Sequence, residues 1–407
     1  MQRDLFTDDH EAYRTTVREF LAREVLPHYQ RWEAEHLIDR SVWLAAGRTG
    51  LIGLAVPREF GGAGEPDYRY RVVLSEEIAR SATASLGAGF GLQDDIITPY
   101  LLDLATPEQK RRWLPGMADG SLIGAIAMTE PGTGSDLQGI RTSAVPVPAG
   151  DGEGAGDGDG DGDIDGMRGG WILNGRKTFI TSGIHADLVI VAARTDPTAG
   201  SRGFSLLVVE RGTPGFERGR KLDKVGLHGQ DTAELSFTDV RVPAANLLGT
   251  QGTGLAHLME RLPRERLSIA VSAVAAARAA FDWTLSYAYE RTAFGRPIGD
   301  FQHSRFVLAE MDTEIDVTQA YVDKAVLALN AGTLTAVEAA KAKWWASELQ
   351  KRVVDRCVQL HGGYGYMLEY PIARAYLDSR VQTIYGGTTE IMKEIIGRDL
   401  AARGGER

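Results

Sequence analysis

The sequence predicts a multi-domain α+β protein. An N-terminal α-helical domain spans residues 1–121, a middle antiparallel β domain 122–250 and a C-terminal four-helix bundle 251–407. Three observations predict this order. Apolar residues recur at helical spacing up to about Leu104. Between Leu122 and Leu248 the period changes to short β-branched and aromatic runs separated by Gly, Asn, Asp and Pro. From Gly254 to about Ala402 long helical patterns return. With 407 residues, 43% of them hydrophobic, the chain can bury more than one core.

In the first domain Tyr13, Val17, Phe20 and Leu21 form a buried stripe, and breaks are expected at Pro27, Gly50 and Glu59–Gly64. Thr106-Pro107-Glu108-Gln109 reads as a helix start, with a Thr cap, Pro at the first helical position and Gln three residues after the cap. In the middle domain IGAIAM, GWIL, KTFIT, LVIVAA, FSLLVVE and AELSFTDVRV read as strands, and Asn174-Gly175 as a two-residue hairpin turn. One segment fits no domain: the acidic loop 149–170, DGEGAGDGDGDGDIDG at its centre, is too poor in apolar groups to offset the entropy of ordering. Its Asp161–Gly166 resembles the first half of a calcium loop, but Ile172 stands where the bidentate Glu belongs, so a mobile strand-joining loop is the expectation.

The net charge of −10 argues against nucleic acid as a partner, since phosphate binding needs clustered cations. Cys357 is the only cysteine, which rules out an intrachain disulfide and a cysteine metal cluster. No H-E-x-x-H spacing occurs among the eight His, and His361 reads as a helix-end residue, so no metal is expected. No run is long and apolar enough to span a bilayer, and a soluble, cytoplasmic protein is expected. Gly170–Thr178 nearly spells a P-loop, with Arg176 in place of the Lys; Gly87–Leu92 lacks the third glycine of a dinucleotide fingerprint.

Ala127–Gly139, AMTEPGTGSDLQG, is different, because a Pro-Gly turn after an apolar strand exposes backbone N–H groups and hydroxyls to one point, as a flat hydrogen-bonding cofactor requires. Together with Lys177–Gly183, Tyr289–Gln302, Gln359–Tyr366 and Ile384–Arg398 it resembles the successive signature blocks of the acyl-CoA dehydrogenases, in the family's order and over about residues 5–400. Within that family LPRERL, WASELQ and IYGGTTEIMKE are most similar to the long-chain type.

The resemblance implies FAD-dependent α,β-dehydrogenation of a fatty acyl-CoA to the trans-2-enoyl-CoA, as in β-oxidation, by a homotetramer that passes electrons to an electron-transfer flavoprotein. It implies flavin contacts from Met128, Thr129, Gly134 and Ser135 on one side and Phe179, Ile180 and Thr181 on the other, although Phe179 also fits a strand core. Arg291, Phe294, Gln302, Gln359, Gly362 and Gly363 would hold the adenosine and pyrophosphate end across a subunit boundary, with Thr388 and Glu390 opening the last helix. Ser135, Ser201, Arg202, Pro263, Arg266, Gly386 and Gly387 are the substrate candidates, and Ser85–Gln93 fits either an acyl channel or core packing. Arg266 reads as support for the loop or the CoA moiety and equally as a plain ion pair, whereas Arg291 apart from the resemblance reads as an ordinary helix salt bridge.

The reaction needs one carboxylate to take the α proton, while the β hydrogen leaves as hydride to flavin N5. Many members of the family place that Glu directly after the Tyr of the C-terminal block, where this chain has Gly386. In the long-chain and isovaleryl subgroups the acid comes from the helix opening the bundle, in a sequence of the form ERL, which points to Glu265 of LPRERL. By itself Glu265 reads as a first-turn helix acid paired with Arg264 or Arg266. The resemblance makes it the base and the Gly386 N–H a donor to the thioester oxygen, beside a ribityl hydroxyl. An oxygen-using acyl-CoA oxidase and a non-catalytic relative acting as a binding module remain the alternatives.

Overall fold

The computed structural model of the protein describes residues 3–147 and 169–405. The acidic segment and its half calcium loop lie outside the described residues. Seven helices come first: α1 (Asp8–Phe20), α2 (Leu26–Glu35), α3 (Ser41–Thr49), α4 (Arg69–Arg80), α5 (Ala84–Gly91), α6 (Thr98–Leu104) and α7 (Pro107–Asp119). The start of α7 is the expected capping box, with Gln109 N–H on the Thr106 hydroxyl at 3.3 Å and Thr106 N–H on Gln109 Oε1 at 2.9 Å. Pro27 does not break the chain. A π-turn over Leu21–Val25 joins α1 to α2 and puts Pro27 in the first turn of α2, where a missing N–H costs nothing.

The middle region holds β1 (Gly124–Ala127), β2 (Ser143–Val147), β3 (Gly170–Thr181), β4 (Leu188–Arg194), β5 (Phe204–Glu210), β6 (Phe216–Lys221), β7 (Thr232–Pro243) and β8 (Leu247–Leu248). They form one sheet in the order β6-β7-β3-β2-β4-β5-β8, with β1 beside β4. Most pairs are antiparallel, as expected, but β1 runs parallel to β4 and so does the single β2–β4 bridge. Turn signals between short strands do not reveal this, because β1 reaches β4 only through the long connection that carries β2 and β3. The Asn174-Gly175 hairpin is corrected too: β3 runs straight through it with a bulge. The Asn174 side chain accepts from Asp239 N–H at 2.8 Å, and a Cβ at Gly175 would lie 2.4 Å from Thr142 Oγ1, so close backbone approach explains the glycine.

The third region has α8 (Gly254–Glu290), a hairpin of β9 (Thr292–Ala293) and β10 (Arg296–Pro297), α9 (Gln302–Asn330), α10 (Ala336–His361), α11 (Pro371–Ser379) and α12 (Thr389–Gly405). The two-residue turn with positive φ at both positions is Phe294-Gly295, at 51° and 81°.

Of the four hydrophobic cores, two meet along α8. β4 is buried on both faces: Leu188, Ile190 and Ala192 pack on Trp113, Leu114 and Met117 of the helical domain, while Val189, Val191 and Ala193 face Trp171, Leu173 and Val240. Leu258 of α8 joins the first of these cores. Leu267, Val271 and Val274, further along α8, join Ala342, Ala346 and Leu349 of α10 in the bundle core. Glu265 sits between Leu258 and Leu267, where α8 passes from one core to the other.

Candidate active site

Glu265 is not in a first helical turn. It is the twelfth residue of α8, and Pro263 lies inside the same helix, at the loss of one backbone bond. The Glu265 side chain is 4% exposed. Its Oε1 accepts from the Tyr100 hydroxyl of α6 at 3.1 Å. Burial raises its pKa to about 7, against the Tyr100 hydrogen bond and the charges of Arg266 and Arg261, which pull it down. Tyr100 itself is pushed well above its ordinary value by burial beside the carboxyl, so it stays a donor. Arg261, one turn before Glu265, lies over the Tyr100 ring at 5.3 Å and bonds Asp103 at 3.1 Å. A carboxyl divided about evenly between acid and base near neutral pH can accept a proton and give it back.

Successive helix residues point about 100° apart, so Arg266 reaches a different wall from Glu265. Its Nε donates to the Gly386 carbonyl oxygen at 3.2 Å. This contact favours loop support over the plain ion pair. Gly386 and Gly387 have φ of 65° and 97°, a region that suits glycine. A Cβ on Gly386 would lie 2.4 Å from Ile269 Cδ1, one helical turn beyond Glu265. Position 386 and the Glu265 side chain therefore belong to one neighbourhood on α8.

The cofactor candidates fall into two groups. In the first, Lys177 of β3 is fully buried, with Nζ on Glu130 Oε1 at 2.9 Å and on Met128 O at 3.0 Å, and Thr178 N–H bonds Thr129 O at 2.9 Å. The buried pair thus ties the Met128–Ser135 turn to the strand carrying Phe179–Thr181. Phe179 is not in the strand core. At a register shift between Lys177 and Ile180 its φ is 59° and its ring is 68% exposed. Ile180 is the reverse: its side chain is in the sheet core, leaving only its backbone for a ligand. Thr181 is half-buried, Ser135 is exposed, and a Cβ on Gly134 would meet nothing within 4 Å.

In the second group, Arg291, Gly362 and Gly363 line one open recess of about 520 Å³ with Tyr287, His361 and Tyr364. Gln359 is exposed near the end of α10, and Gln302 opens α9. Phe294 is 96% exposed at the tip of the β9–β10 turn. His361 ends α10, with its ring stacked on Tyr287 at 4.2 Å. The Thr388 hydroxyl accepts from Ile391 N–H at 3.3 Å at the start of α12, and Glu390 sits in the first turn of that helix. Exposed aromatic faces, open glycine backbone and a cation at the recess are the chemistry that a planar ring system with an anionic tail requires. Ser201 and Arg202 are exposed in a 3-10 turn before β5, and Pro263 is half-buried two residues before the base. Ser85, Leu86 and Phe90 are buried, Leu86 and Phe90 among the helical core residues, which favours the packing reading of that stretch.

Sequence reasoning missed Tyr100 and Ile269. Each reads as one more apolar position of a helical stripe, and neither carries a local signal. Among the described residues no cluster of His, Cys, Asp or Glu could hold a metal ion.

A helical domain and a helical bundle that meet at a buried, near-neutral carboxyl beside a glycine turn, with a mostly antiparallel sheet packed against them, define a three-part enzyme scaffold built round an acid–base centre. Family models described as the N-terminal, middle and C-terminal domains of acyl-CoA dehydrogenase match residues 7–121, 125–240 and 252–401, and the chain belongs to the acyl-CoA dehydrogenase family. It is 46% identical over 400 residues to the long-chain specific acyl-CoA dehydrogenase, mitochondrial, of Sus scrofa, covering 98% of this chain and 88% of the relative. The crystal structure of acyl-CoA dehydrogenase from Geobacillus kaustophilus is similar at a TM-score of 0.90 and 48% identity, covering 98% of this chain and 100% of that one. A glutaryl-CoA dehydrogenase from Mycobacterium smegmatis in complex with FADH2 superposes with a TM-score of 0.86 at 26% identity, covering 98% and 96%. The protein is thus an enzyme of a flavoprotein family. Among the described residues no helix is long and apolar enough to cross a membrane.

Proposed function

We propose that the chain dehydrogenates a fatty acyl-CoA thioester to the trans-2-enoyl-CoA, with Glu265 as the base that takes the α proton. The observation that carries this reading is a carboxyl buried on α8 with its pKa raised to about 7, next to the position where Gly386 leaves no acid. Thioester α protons are weakly acidic, so the base works only if the carbonyl oxygen receives a hydrogen bond that strengthens as negative charge develops, an effect worth about 3 to 4 kcal/mol per donor. The Gly386 N–H supplies that bond, and Arg266 holds the turn that presents it. Pro263, Gly387, Ser135, Ser201 and Arg202 complete the acyl-CoA surface.

The residues present fit FAD. Met128, Thr129, Gly134, Ser135, Phe179, Thr181 and the Ile180 backbone would hold the ring. Arg291, Phe294, Gln302, Gln359, Gly362, Gly363, Thr388 and Glu390 would hold the adenosine and pyrophosphate end, supplied by a second copy of the chain in a homotetramer. Bound FAD supplies the acceptor for the hydride that leaves the β carbon. An electron-transfer flavoprotein is the electron acceptor in this reading. The setting is the cytoplasm, where the lone buried Cys357 stays a thiol.

Anaerobic titration of the purified protein with saturated acyl-CoA esters of graded length tests the proposal. Bleaching of the flavin absorbance with formation of the enoyl-CoA is expected, and the preferred length reads the acyl class. A yellow protein that no acyl-CoA bleaches overturns it, and hydrogen peroxide released in air transfers the acceptor role to oxygen.

A further inference from the structure

We infer that Lys343 is a positioning residue for the thioester carbonyl: with Arg266 it takes up both carbonyl oxygens of the Gly386-Gly387 turn, so that the amide N–H groups of the turn are left for the substrate. The inference rests on the reading of Gly386 given above.

Lys343 occupies an apolar register of α10, among Ala339, Ala342, Ala346 and Leu349, and is 0% exposed. Its Nζ donates to the Gly387 carbonyl oxygen at 2.7 Å. Arg266 donates to the preceding carbonyl, that of Gly386, at 3.2 Å from the other side. The Thr389 hydroxyl donates to Glu348 Oε1 of α10 at 2.9 Å. The turn is therefore gripped from α8 by one cation and from α10 by a cation and a carboxylate. Burying an ammonium is costly, and burial beside Arg266 pulls the Lys343 pKa down to about 8. A helix whose only need was packing would carry an apolar residue there.

The trans peptide unit points its C=O and N–H in opposite directions. A cation on the Gly386 oxygen thus turns the Gly387 N–H the other way, and Lys343 does the same for the Thr388 N–H. Each such bond polarises the Gly387 or the Thr388 amide by about 10–30%; the Gly386 N–H belongs to the preceding peptide unit, and the two cations hold it by fixing the turn that it opens. Among the described residues the N–H groups of Gly386, Gly387 and Thr388 have no hydrogen-bond partner. Consecutive free amides on a positive-φ turn make a concavity that suits developing negative charge.

The test uses the full-length FAD holoenzyme and two variants, Lys343→Met, which keeps the stem and removes the donor, and Lys343→Arg, which keeps a cation. The probe is a 3-oxoacyl-CoA, whose acidic carbon ionises on binding without hydride transfer, followed by enolate absorbance against pH. In Lys343→Met we expect full flavin content, a bound probe that ionises about one pH unit higher, and kcat lower by about 10²-fold, the loss that a misplacement of about 1 Å produces. Lys343→Arg should recover most of both. Lys343→Met with an unchanged probe titration, or with kcat lost only in proportion to lost flavin, overturns the inference. If Lys343→Met does not fold, Lys343→Leu, which also removes the donor, takes its place with the same readouts. Probe acidity reports donors to its oxygen and not the identity of the base. Failure of the Glu265 assignment, seen as turnover in Glu265→Gln, is therefore distinguishable from failure here.

Discussion

Tyr100→Phe removes the hydroxyl that donates to Glu265 at 3.1 Å and leaves the ring under Arg261 in place. In Glu265 burial raises the pKa and Tyr100 lowers it, so losing Tyr100 lets burial act with less opposition. A hydrogen bond to a charged group is worth about 1.5–3 kcal/mol, and 3.1 Å is long for an O–H···O⁻ contact, so the lower end applies. At about 1.4 kcal/mol per unit this moves the Glu265 pKa up by about one unit, to about 8. The base works deprotonated, so activity rises with pH through this value. At pH 7 the ionised fraction falls from about one half to about one tenth, an approximately fivefold loss, and the two enzymes converge above about pH 9. The assay is kcat/KM against pH with an artificial electron acceptor. A variant whose acid limb stays at the wild-type pH, or which loses the same factor at every pH, refutes the reasoning.

Glu265→Gln should keep its flavin and lose turnover by several orders of magnitude; near-normal rates would remove Glu265 from the mechanism. The same variant has a stability signature. Burial raises the folded carboxyl's pKa to about 7 from an ordinary value of 4.5, so the folded state holds the proton more tightly, and wild-type stability falls as pH rises between those values. The loss is about 3 kcal/mol at most, and Glu265→Gln should melt higher than wild type at pH 8 and not at pH 4. Adding Gly386→Glu to Glu265→Gly should restore little activity alone, because the new Cβ meets Ile269 at 2.4 Å with φ at 65°, and more when Ile269→Ala is added; an inert triple variant would show that the two positions do not share a site. Lys177→Met leaves the Glu130 carboxylate buried without its cation, at a cost of about 3–5 kcal/mol, and should release flavin on gel filtration; Lys177→Met with Glu130→Gln should retain more of it.

The order helix, sheet, helix was legible because hydrophobic period is a local signal, and the Thr106–Gln109 capping box is local too. What failed to show was set by tertiary contact. Glu265 reads as a first-turn acid, yet α8 runs on through Pro263, because it is long and packed at both ends, which outweighs one missing backbone bond. Asn174-Gly175 has hairpin chemistry, but Thr142 and Asp239 use it for a bulge. Phe179 had two readings, strand core or ring contact, and only the register shift beside it decides for the exposed face. Tyr100 was silent, since its partner is 165 residues away. Lys343 left one trace, a cation where the α10 stripe calls for an alanine.

The placement of the acid on α8 has a physical consequence for the turn facing it. A carboxylate at position 386 needs a Cβ, which the positive φ disfavours and Ile269 obstructs. With glycine there, the backbone keeps its left-handed conformation and lends its N–H groups to the carbonyl oxygen, while the proton goes to a side chain on a 37-residue helix anchored in two cores. On this reading donor and base act from different walls. Tuning the Glu265 pKa through Tyr100 then leaves the oxygen's hydrogen bonds untouched, and altering Lys343 moves the oxygen's hydrogen bonds without touching the base. A double variant, Tyr100→Phe with Lys343→Met, should therefore show losses at pH 7 that multiply, to about 500-fold, because sites without shared partners add in free energy. Losses well short of the product would mean that the two walls move as one.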